Sequence, residues 1–169
     1  MSKKTSDPEW RDPVCGMLVE SDQFQCEYQG IPFHFCSEQC RQRFCDNPHL
    51  YVGLPGHPAP RQEGVEVTKR RRIKLSEPLP ERDAAALMDY LQEMMGIKRV
   101  RIAHDIVEVS YDLLQVTAEQ IEERIARFGA HLGEGWSERL RRAWTHFEEE
   151  NNLASLEVST PWGHGEHEY

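Results

Sequence analysis

Five cysteines, at positions 15, 26, 36, 40 and 45, fall in the first 45 residues of a 169-residue chain, and none follows. That clustering constrains the fold more than any other feature, because thiols at metal-ligand spacing dictate how the segments between them must turn. The densest stretch is "FHFCSEQC", residues 33–40. An aromatic-rich strand leads into Cys36, and Ser37 is a natural cap for a helix over "EQCRQRF", residues 38–44. Cys40 then lies in the first helical turn. Both thiols are expected beside the free amides of a helix N-terminus, which lower a thiol's pKa and favour the metal-binding thiolate.

Cys15 sits in "DPVCGM", where Asp12-Pro13 and Gly16 mark a tight turn whose amides are expected to face the thiolate. Cys15, Cys36 and Cys40 form a C-x20-C-x3-C arrangement. Three soft sulfurs suit one thiophilic ion, Zn(II) or Cu(I). The fourth ligand depends on strand register. "QFQCEY" and "IPFHFC" flank Gln29-Gly30, a two-residue hairpin signal. Pairing about that turn sets Tyr28 opposite Ile31, Cys26 opposite Phe33 and Phe24 opposite Phe35. Cys26 then shares the apolar face, and His34 lies on the other face with Cys36. His34 is the better-placed fourth ligand, and Cys26 the better core residue. Cys45, five positions beyond Cys40, lies about 140° round the helix from it. Met17 is a soft candidate for copper, although a Met beside a turn more often fills a core.

The segments "DPVCGM", "YQGIPFHFCSEQC" and "RFCDNPHLY" together resemble a YHS domain, of the TRASH-like treble-clef metal-binding group, over about residues 11–52. The resemblance implies that Cys15, Cys36 and Cys40 are the metal-ligand cysteines. It also implies an association with heavy-metal transporting ATPases, metal sensors and resistance proteins. Cys26 and Cys45 are additions to the family pattern.

A Pro/Gly-rich stretch, "GLPGHPAPRQEG" at residues 53–64, reads as a linker. Residues 65–150 then read as a cysteine-free module. "VEVTKRRRIKL" is a strand. "PERDAAALMDYLQEMMG" is a helix with Leu87, Leu91 and Met94 inward. "KRVRIA" and "IVEVSYD" form a hairpin about His104-Asp105. "TAEQIEERIARFGAHLG" is a helix opened by a Thr117/Gln120 capping box, with Ile121, Ile125, Phe128 and Leu132 on its apolar stripe. A last helix begins near Ser137, with Leu140, Ala143, Trp144 and Phe147 on one face and Glu148, Glu149 and Glu150 at a solvated end. The expected fold class is α+β: a treble-clef-like hairpin and helix, then a ferredoxin-like βαββα unit with an extra C-terminal helix. The β-α-β-β-α order resembles a heavy-metal-associated domain. Such domains usually carry C-x-x-C between the first strand and first helix, where this chain has "SEPLPERD". "LRRAWTHFEEENN" resembles the C-terminal helix of small bacterial proteins with such domains. Residues 151–169 are expected to form a flexible tail, whose His164, Glu166 and His167 are weak metal candidates.

The formal net charge is −9. That balance argues against a nucleic-acid partner, with Lys69–Arg72 as a local basic exception. The polar start "MSKKTSDPEW" carries no apolar core, and no stretch is long enough to span a membrane. A cytoplasmic location follows as an expectation, with all five thiols reduced rather than paired. No phosphate-cradling loop or dinucleotide fingerprint is present, so the chain does not read as an enzyme. The expected function is a heavy-metal-binding protein accessory to trafficking, storage or resistance, with a metal ion and a heavy-metal transporter or other protein as partners. An adaptor with a structural zinc and a docking module is the alternative. A metal-responsive regulator that touches DNA through Lys69–Arg72 is the second.

Overall fold

A computed structural model describes residues 10–158. His164, Glu166 and His167 therefore lie outside the described residues.

The N-terminal part is built from short pieces. Strands β1 (Trp10–Arg11) and β2 (Leu18–Val19) pair across the "DPVCGM" turn. Strands β3 (Gln25–Tyr28) and β4 (Ile31–His34) form the expected hairpin, with Cys26 opposite Phe33 and Tyr28 opposite Ile31. Gln29 and Gly30 both have positive φ, 53° and 76°, as the tight turn requires. Helix α1 (Glu38–Asp46) follows, and Ser37 caps it by accepting a hydrogen bond from the Cys40 amide at 3.3 Å. One 3-10 turn, Pro48–Leu50, ends the segment.

The cysteine-free part follows the βαββα order. Strand β5 (Thr68–Lys74) leads to helix α2 (Glu81–Gln92), the hairpin of β6 (Ile97–Ala103) and β7 (Ile106–Asp112), and helix α3 (Ala118–Phe128). The antiparallel sheet has the order β5-β7-β6. The α3 capping box closes as expected, with Gly129 as a left-handed stop at φ 99°. Leu87 and Leu91 of α2 and Ile121 and Ile125 of α3 cover one face of the sheet, over Val100, Val107, Val109 and Tyr111. Each such side chain, once buried, contributes about 1.5–3 kcal/mol. Beside β5 the chain pairs only briefly, at Leu75 and Leu132, before turning away. The fourth strand of a complete ferredoxin-like sheet is replaced by a helix.

That helix, α4 (Trp136–Val158), corrects three expectations. It runs eight residues past position 150, into the segment expected to be a flexible tail. Its anticipated packing face points outward: Leu140, Trp144 and Phe147 are 51%, 68% and 55% exposed. The inward face carries His146, Glu149 and Leu153 instead. Glu149, expected in solvent, is buried, where it accepts hydrogen bonds from the Tyr111 hydroxyl and the Ala118 amide. Glu148 pairs with Lys69 at 3.7 Å and Arg71 at 3.2 Å. The surface that receives α4 is the basic edge strand and the N-terminus of α3, so polar residues face inward and the apolar stripe is left outside.

Residues 53–64 also differ from a free linker. Leu54 and His57 bridge each other, Ala59 is buried, and the Gln62 side chain accepts from the amides of Gly53 and Ala59. A Cβ on Gly53 would come within 2.1 Å of the His57 carbonyl, so glycine is the residue that permits this close approach. The two parts meet directly. The Tyr51 hydroxyl donates to the Leu114 carbonyl at 2.5 Å, Arg43 donates to Leu113, and Gln39 donates to Met95 and Gln115. Their apolar side chains join in one cluster running from Val14 and Phe35 to Leu113 and Leu114.

Candidate metal centre

The site forms where three short segments meet: the turn after β1, the end of β4 and the first turn of α1. Cys15 and Cys36 place their sulfurs 3.5 Å apart, and Cys36 and Cys40 place theirs 3.7 Å apart. Cys40 is buried, while Cys15 and Cys36 are half-buried, so the group is reached from one side. Neighbouring sulfurs on a tetrahedral ion with bonds of about 2.3 Å lie about 3.8 Å apart. The thiols are thus already at the spacing that one soft ion demands.

The fourth member of the group is Asp12. One ligand atom from each of Asp12, Cys15, Cys36 and Cys40 lies within 4.8 Å of all the others. Asp12 is fully buried. Its Oδ1 accepts from the amides of Val14 at 2.8 Å and Cys15 at 3.3 Å, and its Oδ2 accepts from the Cys36 amide at 2.9 Å. The turn's amides therefore face a carboxylate more than a thiolate, which corrects the expectation for "DPVCGM". The Met17 amide is the one that favours the Cys15 thiolate. In the sequence, Asp12-Pro13 reads only as a turn marker. Aspartate opening a turn by accepting amides two and three residues on was the signal that could have found it.

Helix-terminal amides do not dominate the acidity of these thiols. Cys15 is held below the ordinary thiol value, first by a hydrogen bond from Cys40. Burial, ahead of the other causes, pushes Cys36 up to about 12. Cys40 is pushed far up, first by its hydrogen bond with Cys15 and then by burial. The expected lowering at Cys36 and Cys40 is thus reversed. Crowded sulfurs beside a buried carboxylate outweigh the capped helix end, and an ion would enter by displacing protons from Cys36 and Cys40.

The other candidates stand apart from this group. His34 is buried, with its ring stacked on Trp10 at 3.7 Å and its Nδ1 without a hydrogen-bond partner. Cys26 and Cys45 form a disulfide between β3 and α1, with Cα atoms 6.4 Å apart, contrary to the expectation of five reduced thiols. The hairpin register that turns Cys26 toward α1 brings it over Cys45, within the span a disulfide bridges. Met17 is 47% exposed and does not fill a core. The basic run Lys69–Arg72 is divided by strand alternation. Lys69 and Arg71 turn toward α4, and Arg70 and Arg72 toward the opposite face.

Residues 10–54 match the family model of the YHS domain. A stretch of 52 residues is 38% identical to a copper-transporting P-type ATPase of Rhizobium leguminosarum bv. viciae. That match spans 30% of this chain and 6% of the ATPase. Among solved structures, the N-terminal soluble domains of Bacillus subtilis CopA are similar at 21% identity and a TM-score of 0.38, over 40% of this chain and 48% of that one. A copper form of a Bacillus subtilis CopA variant is similar at 26% identity and a TM-score of 0.36, over 41% of this chain and 96% of that one. No helix among the described residues is long and apolar enough to cross a membrane.

Proposed function

We propose that the chain binds one thiophilic ion, Cu(I), through Cys15, Cys36 and Cys40, as an accessory to copper trafficking, storage or resistance. One observation carries this reading. Three sulfurs at ion-binding spacing adjoin a buried carboxylate whose partners are amides and the Cys36 thiol, with no cationic partner among the described residues. A cation held among the sulfurs attracts the Asp12 carboxylate across a few ångströms, while the protons it displaces from Cys36 and Cys40 leave to solvent. Soft sulfur donors favour Cu(I), and the hard Asp12 carboxylate then serves to hold the amide-lined turn closed. Access from one side suits exchange with a partner. The likeness to a protein named as a copper-transporting ATPase supports a transporter as that partner.

Titration against a chromophoric Cu(I) competitor tests the reading. One ion is expected per chain, with binding lost when Cys15, Cys36 and Cys40 are all changed to Ser. Equal affinity in the triple variant would overturn it. The place of Asp12 within 4.8 Å of the sulfurs favours a second reading, a four-coordinate structural Zn(II) in an adaptor. Native mass spectrometry with metal analysis separates the two. If zinc is retained on purification and its chelation unfolds the N-terminal part, the structural reading holds.

A further inference from the structure

We propose that the open face of the three-stranded sheet docks an acidic peptide segment of a partner protein, with a carboxylate seated over Ser110 between Arg70 and Arg99. The inference is independent of the metal reading, because it rests on the opposite part of the chain.

The helices α2 and α3 cover one face of the sheet, and strand alternation turns every second residue to the other. Register then stacks the open face into cross-strand rows. Arg70 of β5 is opposite Ser110 of β7, which is opposite Arg99 of β6. Arg72 is opposite Glu108, which is opposite Arg101. All four arginines are exposed, and together with Ser110 and Glu108 they line one shallow depression. Strand spacing sets the outer arginines about 10 Å apart across each row, and the rows about 7 Å apart along the strands. A guanidinium arm is long enough to reach the central strand, as Arg72 does at Glu108.

The rows are not equivalent. Glu108 already holds Arg72 at 3.2 Å, whereas Arg70, Arg99 and Arg101 have no ion-pair partner among the described residues. The row over Ser110 thus offers two free guanidinium forks and a hydroxyl, which is the chemistry that binds a carboxylate. An extended peptide presents alternate side chains on one face at the same spacing of about 7 Å, so a residue over Ser110 places its second neighbour at the row of Glu108, beside the unpaired Arg101. A single-stranded nucleic acid fits less well, because binding it uses aromatic stacking platforms and this face carries none.

The test uses the full chain and a fluorescein-labelled peptide of alternating Glu and Ser, followed by anisotropy at low salt. Arg70→Gln with Arg99→Gln is expected to weaken binding about tenfold, the scale for two exposed ion pairs. Arg127→Gln with Arg139→Gln, on the exposed surfaces of α3 and α4, is expected to leave it unchanged. Amide NMR shifts on titration are expected at Ser110 and its row. Equal loss in both double variants, or shifts confined to Leu140, Trp144 and Phe147, would overturn the proposal. So would tighter binding of an oligouridine than of the peptide, which gives the face to nucleic acid. Self-association abolished by the Arg70 and Arg99 changes would give it to a second copy of the chain.

Discussion

Two fully buried aspartates, one in each part of the molecule, do the same local work with opposite electrostatics. Asp12 accepts from the amides of Val14, Cys15 and Cys36, closing the turn that carries Cys15. Asp112 accepts from the amides of Leu114 and Val67, closing the turn after β7 against the approach to β5. Asp112 also receives Arg61 at 3.3 Å and the Gln115 side chain at 3.0 Å, so its charge is balanced within the chain. Asp12 has no such partner among the described residues and faces three sulfurs instead. One aspartate is charge-balanced where the two parts of the core join. The other stands at a corner lined by three sulfurs, where the proposed ion would bind. The surroundings follow the same division: apolar packing around the sheet, and short strands, a disulfide and thiols around Asp12.

The comparison predicts a graded set of effects. The largest is at Asp112. Changing it to Asn leaves the half-buried Arg61 without its partner and is expected to cost about 3 kcal/mol in thermal unfolding, equally with and without metal. A loss that metal repairs would break the contrast. Next, Cys26→Ser with Cys45→Ser opens a loop with a sequence separation of 19 and is expected to cost about 3 kcal/mol or slightly less. Metal stoichiometry by mass spectrometry should stay at one, and a fall to zero would show that the disulfide holds the site itself. Asp12→Asn should lower metal affinity by about 10- to 100-fold in competitor titration while sparing the fold of the βαββα part. The smallest effect concerns His146 of α4, beside Glu122 of α3 at 3.3 Å. Its pKa is raised, first by Glu122, with Glu119 and Glu149 adding to the same field. A raised folded value means the contribution is fully present below the ordinary histidine value and is lost as pH climbs through the folded one. Melting curves should therefore show less than about 1 kcal/mol of stability lost on that rise, and His146→Gln should remove the dependence.

Much of the local structure was legible because it is encoded in neighbouring residues. Gln29-Gly30 set the hairpin turn and its register. Ser37 and the Thr117/Gln120 pair marked helix starts, and alternation placed β6 and β7 about His104-Asp105. The three cysteines could be grouped from a cap and a turn before any packing was known. The last helix departs from its pattern because periodicity reports that a helix has two faces, not which one is buried. Leu140, Trp144 and Phe147 form the better apolar stripe, yet a basic edge strand receives the polar side with Glu148 and Glu149.

The same limit explains the site. Sequence by itself determined the turn at Cys15, the hairpin and the helix cap beside Cys36 and Cys40, because each depends on residues a few positions apart. Tertiary structure decided that Asp12 stands with the thiols, that Cys26 pairs with Cys45, and that burial at Cys36 and, first, the hydrogen bond with Cys15 at Cys40 raise thiols that a helix end alone would lower. Those outcomes depend on which distant segments share a small, poorly hydrated volume. There, charge and desolvation act over a few ångströms, whatever the separation along the chain.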